Sequence, residues 1–108
     1  MEGLELIAFQ IISSVGTARS CYIEAIQAAK KGEYDEANKM IKEGDEAFIE
    51  GHDAHAGLLQ KEASGEGNTV NLLILHAEDQ LMSAEAFKTI ALEFIDAYKR
   101  IEALEKKA

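Results

Sequence analysis

The chain of 108 residues has no proline, no tryptophan and one cysteine, and its longest unbroken apolar run falls far short of the ~20 residues that a membrane-spanning helix requires. Without proline, no residue forces a helix to break, so long helices are favoured. With Cys21 alone, an intrachain disulfide is impossible and a zinc site built on several thiolates is excluded, which fits a reducing compartment. The first five residues, Met1-Glu2-Gly3-Leu4-Glu5, lack the basic segment of an export signal. The sequence therefore reads as cytoplasmic, without membrane insertion. Positive charge is also in short supply: 11 Lys and Arg stand against 20 Asp and Glu, for a net charge of −9. Phosphate backbones and anionic lipid would be repelled, so nucleic acid and membrane surfaces are poor partners. The 47% hydrophobic and 29% charged composition supports a packed core rather than disorder. The length suits one domain spanning residues 1–108.

What is present is helical periodicity, with no sustained alternation of period two. Leu4, Ile7, Ile11, Val15, Ala18, Tyr22, Ala25 and Ala29 follow steps of three and four, placing them on one stripe of a first helix. Lys30-Lys31-Gly32 ends it: cations suit the negative helix end, and glycine takes a left-handed C′ conformation without steric cost. A second helix, from about Asp35 to Glu62, presents the small residues Ala37, Gly44, Ala47, Gly51, Ala54 and Leu58 on its inner side. Each interior glycine costs about 0.8–1 kcal/mol relative to alanine, so Gly44 and Gly51 either weaken this helix or let a neighbouring helix approach closely, and close approach is the preferred reading. Ser64 to Asn68 forms the second break, with Asn68 or Thr69 as the expected cap of the third helix. That helix, from Thr69 to about Glu105, carries Val70, Leu73, Ala77, Gln80, Ala84, Phe87, Ala91, Phe94, Tyr98 and Ile101 on its expected inner stripe. The expectation is an all-α, elongated antiparallel three-helix bundle.

The third helix also holds apolar residues on its other sides. Leu72-Leu73-Ile74-Leu75 points in four directions, and Leu81-Met82 widens the apolar arc again. A bundle of this size cannot cover all of them, so self-association is expected. His76, Glu78, Asp79 and Gln80 lie inside this apolar stretch. His76 and Asp79 project from one side, and Gln80 follows His76 by one turn. An imidazole in such a place is either a histidine satisfied by a helix neighbour or a nucleophile. His-x-x-Asp alone does not decide between them.

Other constellations point less far. His52 and His55 lie one turn apart with Asp53 between them, a spacing that can serve one metal ion but more often marks surface histidines. No Glu-x-x-His pair occurs, which removes the usual ligands of a di-iron bundle. Ser64-Gly65-Glu66-Gly67 lacks the lysine and strand of a phosphate-cradling loop. Cys21, among apolar positions, reads as an inert thiol.

The segment His76-Ala77-Glu78-Asp79-Gln80-Leu81-Met82 resembles the phosphorylation-site segment of the lactose/cellobiose-type enzyme IIA of the sugar phosphotransferase system. Gly16-Thr17-Ala18-Arg19-Ser20 resembles the same family's Gly-x-Ala-Arg segment, and Glu62-Ala63-Ser64-Gly65-Glu66 its second connection, so the likeness covers about Leu4 to Arg100. The resemblance implies a three-helix protomer, a homotrimer, a phosphoryl-accepting histidine at His76, and a metal-binding aspartate near the trimer axis at Asp79, with Mg²⁺ as the expected ion. It implies the histidine-containing phosphocarrier protein as donor and a cysteine of enzyme IIB as acceptor, during sugar uptake. The chain departs from the family at Gln80, where a second histidine is common: an amide donates to a phosphate oxygen but carries no proton at neutral pH. The competing expectations are a non-catalytic helical interaction module with His76 as packing, and a small metal-binding bundle using His52 and His55.

Overall fold

The computed structural model describes residues 3–67 and 70–108. Three helices, α1 (Gly3–Lys30), α2 (Tyr34–Ala63) and α3 (Leu72–Lys107), form a bundle of 61 × 22 × 20 Å, with no strand among the described residues. The turn after α1 closes as the sequence predicts. Gly32 has φ +79°, the Glu33 N–H donates to the Ala28 carbonyl at 2.9 Å and the Gly32 N–H to that of Ala29 at 3.0 Å. This pair of bonds is a Schellman closure, and it repeats at Gly65 (φ +91°), where the Glu66 N–H donates to Lys61 and the Gly65 N–H to Glu62. The start of α3 differs from the expectation. Asn68 and Thr69, the expected caps, lie outside the described residues, and the cap is Asn71, whose side chain accepts from the Ile74 N–H at 2.9 Å. The helix thus begins at Leu72, three residues later than its periodicity suggests.

α1 is the hub: both other helices pack along it, whereas α2 and α3 scarcely meet. Every residue of its expected stripe is buried or half-buried. Contacts rise together along α1 and α3, from Ile11 with Ala77 and Leu81 to Ala25 with Ile95, so these two helices run parallel, with α2 antiparallel to them. By length and composition α1 is apolar enough to cross a bilayer; packing on two sides accounts for that character here. α2 approaches α1 through its glycines. A Cβ at Gly44 would lie 2.6 Å from the Tyr22 ring, and one at Gly51 2.6 Å from Val15 Cγ1. Beside Gly44 the Tyr22 hydroxyl donates to Asp45 at 2.7 Å, and Lys88 of α3 binds the same carboxylate oxygen at 3.1 Å, linking all three helices.

The inner face of α3 keeps the expected stripe at Leu73, Ala77, Ala84, Phe87, Ala91 and Tyr98 and widens beyond it on one side. Leu81 and Ile95 are buried beside Ala77, Ala84 and Ala91, while Gln80 is half-buried and Val70, Phe94 and Ile101 are exposed. A stripe that begins its alternation with a step of three at Val70 lags the helix's 3.6-residue turn, and the choice between Gln80 and Leu81 falls to the apolar residue.

Gly44→Ala should lower the melting temperature, because overpacking of about 1–3 kcal/mol exceeds alanine's helix-propensity gain of about 1 kcal/mol. Gly57→Ala, with nothing within 4 Å of the added Cβ, should raise it. Thermal unfolding followed by circular dichroism compares the two. Burial, and then the hydrogen bond to Asp45, push the Tyr22 hydroxyl well above the ordinary tyrosine value, and burial and Glu102 raise Tyr34. Their neutral forms are favoured by folding, so this stability is complete below about pH 10 and is lost as pH rises beyond it. Absorbance near 295 nm should show these two tyrosines ionising late.

Candidate functional site

The first third of α3 sets out the polar residues that the sequence singles out. His76, Asp79, Gln80 and Ser83 share one face of the helix, since steps of three and four return to the same side. His76 and Asp79 are exposed. Among the described residues neither has a hydrogen-bond or ion-pair partner. A histidine satisfied by a helix neighbour is therefore not what the structure contains: the imidazole is open to an incoming group. Asp79 likewise lacks the intrachain Lys or Arg that a structural ion pair would need.

The surroundings of these two side chains are apolar. Leu75 and Met82 flank Asp79 one turn to either side, 54% and 62% exposed, and Leu72, a further turn away from Met82, is 82% exposed. A carboxylate thus stands in the middle of an exposed apolar strip, with His76 at its border. Exposed apolar strips mark interaction surfaces, and a carboxylate inside one would need neutralising wherever the strip is covered. Among the described residues of one chain no group of three His, Cys, Asp or Glu side chains could hold a metal ion. One Asp79 alone is a hard oxygen donor without companions.

Glu78 points elsewhere. Its carboxylate meets His55 Nε2 at 2.6 Å, joining α2 to α3 across a seam that is otherwise thin. His55 is only 13% exposed, a position that the sequence reading, which favoured surface histidines, did not anticipate. The His52–His55 pairing is not formed as a site. His52 lies against Phe48, with ring centroids 6.0 Å apart, and faces Asp53 at 3.8 Å, while His55 is taken by Glu78. An open cleft of about 240 Å³ lies alongside, lined by His55, Leu58, Leu59, Ile74, Leu75 and Glu78.

Two contacts were invisible to the sequence pattern. Arg19 of α1 reaches Ser83 of α3, its Nη1 donating to the hydroxyl at 3.4 Å. Glu78 gave no sign of its partner, because His55 is 23 residues away and only the fold brings the two together. Cys21 is half-buried, and burial, with Glu43 and Glu24 nearby, raises its thiol pKa. It stays protonated at neutral pH, as an inert thiol should.

Comparison with known proteins gives this arrangement its family. Residues 6–99 match the family described as "PTS system, Lactose/Cellobiose specific IIA subunit". The chain is 41% identical over 95 residues to the oligo-beta-mannoside-specific EIIA component of Bacillus subtilis, covering 88% of this chain and 86% of that protein. It is 41% identical over 101 residues to the cellobiose-specific EIIA component of Lactococcus lactis, covering 94% and 87%. Its fold is similar to that of the crystallised cellobiose-specific enzyme IIA from Bacillus anthracis, with a TM-score of 0.90, 42% identity and 95% of both chains covered. With family, relatives and fold in agreement over nearly its whole length, the chain belongs to the lactose/cellobiose-specific IIA family of the sugar phosphotransferase system, whose members carry phosphoryl groups and interact with partners such as enzyme IIB.

Proposed function

We propose that His76 is the phosphoryl acceptor, taking the group from the histidine-containing phosphocarrier protein and passing it to a cysteine of enzyme IIB in the cytoplasm during sugar uptake. The observation that carries this reading is the exposed, unpartnered imidazole of His76 at the edge of the apolar strip, within the segment that carries the family resemblance. A neutral imidazole nitrogen supplies its lone pair to phosphorus as the phosphorus–nitrogen bond of the donor breaks, and the donor's imidazole leaves with that electron pair and takes up a proton. In the second half, a thiolate of enzyme IIB attacks the same phosphorus and His76 departs in turn. Neither step consumes a nucleotide. Gln80, one turn beyond His76 and half-buried, would donate its amide N–H to a phosphate oxygen. Mid-helix backbone N–H groups are already bonded, so side chains must supply the donors.

The working form is a homotrimer. The exposed strip of Leu72, Leu75 and Met82 on α3 supports a self-association that one protomer cannot satisfy internally. Threefold symmetry would bring three copies of Asp79 together, and a hard divalent cation, Mg²⁺, suits three carboxylates with water completing its coordination. When bound it would supply charge neutralisation at the axis, with no part in the phosphoryl chemistry.

Incubation with phosphoenolpyruvate, its upstream kinase and the phosphocarrier protein should label the wild type with acid-labile, alkali-stable phosphate. His76→Gln should show only background label with the helical content unchanged. A trimer that accepts no phosphate would favour the helical interaction module instead. Asp79→Leu should preserve or tighten the trimer, by about 1–4 kcal/mol if like charges are what it removes. Sedimentation with and without a chelator measures this, and dissociation of the variant would show that an ion pair is required.

A further inference from the structure

Arg19 is a half-buried guanidinium that the phosphoryl-carrier reading leaves without a task. Its Nη1 rests on the Ser83 hydroxyl at 3.4 Å, a long bond for so strong a donor, and among the described residues no carboxylate lies within salt-bridge distance of it. A partly buried cation is costly to leave uncompensated, so the position is informative in a chain of net charge −9, where anionic partners abound. Its neighbourhood has few other cations. Lys88, the one lysine of α3 before Lys99, is occupied by Asp45. Glu78, Asp79 and Glu85 share this stretch of α3.

Helix geometry relates Arg19 to His76. Ser83 follows His76 by seven residues, two turns, which returns it to the same face about 10 Å along the axis, with Gln80 between them. Because α1 and α3 run parallel, the lean of helical side chains toward the N-terminus carries Arg19 toward the end of the bundle that holds His76. We infer that Arg19, seated by Ser83 on the His76 face of α3, is the positioning counter-charge for the phosphorylated state, favouring the phosphate dianion on His76 against the acidic surface around it. The inference rests on the assignment of His76 as phosphoryl acceptor. It adds a source of positive charge on this face independent of any cation held by Asp79.

The test uses the phosphorylated trimer in two measurements: the equilibrium fraction of phosphoprotein formed with the phosphocarrier protein, and the last ionisation of the phosphoryl group followed by ³¹P NMR. A charge at this distance should be worth about fivefold in the first and about half a pH unit in the second. Arg19→Gln should lower the phosphorylated fraction by that factor and move the ionisation to higher pH, since the dianion loses its counter-charge. Arg19→Lys, which keeps the charge, should restore both to near the wild-type values. Ser83→Ala, which only frees the guanidinium, should move the ionisation in the same direction by a smaller amount, and it decides the matter if Arg19→Gln does not fold. A purely structural arginine would leave the ionisation unmoved. An ionisation and occupancy equal to wild type in Arg19→Gln, or in Ser83→Ala where that variant decides, would overturn the inference while leaving His76 as the acceptor. A wild type that takes no label at all would overturn the His76 assignment, and this inference with it.

Discussion

The close approach of α2 to α1 through Gly44 and Gly51 is the constraint on which the remaining structure depends. Where a Cβ would collide with the Tyr22 ring or with Val15, the missing side chains let α1 sink against α2, burying Tyr22, Val15 and Ile11 almost completely. The cost is intrinsic helix propensity at two positions, offset by dense packing against bulky residues of the neighbour. With α1 so placed, α3 can pack on its free flank, and the Tyr22–Asp45–Lys88 link fixes the three helices in one register.

That arrangement leaves α3 with only one side covered. α1 takes the face of Ala77, Leu81, Ala84 and Ala91, and α2 meets α3 through a few polar pairs, His55–Glu78 and Asp45–Lys88 among them, and a few apolar residues among those described. Leu72, Leu75 and Met82 therefore remain in water in the single chain, together with the carboxylate of Asp79 and the ring of His76. On the proposed reading the same exposure serves two needs of a phosphoryl carrier. An imidazole at the border of a strip is reachable by successive protein partners, and an apolar strip can hold subunits together beside it. The negative charge of the chain adds a third consequence. A phosphoryl group adds about −1.5 to −2 to a surface already rich in carboxylates, so exchange is rapid only where local cations and amide donors temper the repulsion.

Much of this was legible in the residues themselves. The stripe from Leu4 to Ala29, the stop at Gly32 and the small face of α2 followed from spacing and backbone preference, because these are properties of single helices and their ends. The segment from His76 to Met82 identified the family, and the comparisons agree with that identification. The inner stripe of α3 was less well defined: with apolar residues on every side, periodicity does not select one register, and the true one admits Leu81 and leaves Gln80 half out. The cap at Asn71 was obscured by two earlier candidates of the same chemistry, Asn68 and Thr69.

Short-range spacing and side-chain chemistry are written locally, and they suffice for an acidic all-helical chain, the ends of its first two helices, and an imidazole set among apolar residues beside an acid. Packing between helices is what sets α1 between its neighbours, gives His55 to Glu78 rather than to His52, and brings Arg19 onto Ser83 of α3. Those are relations between residues 23 to 64 positions apart, and they exist only once packing has set the distance between helices.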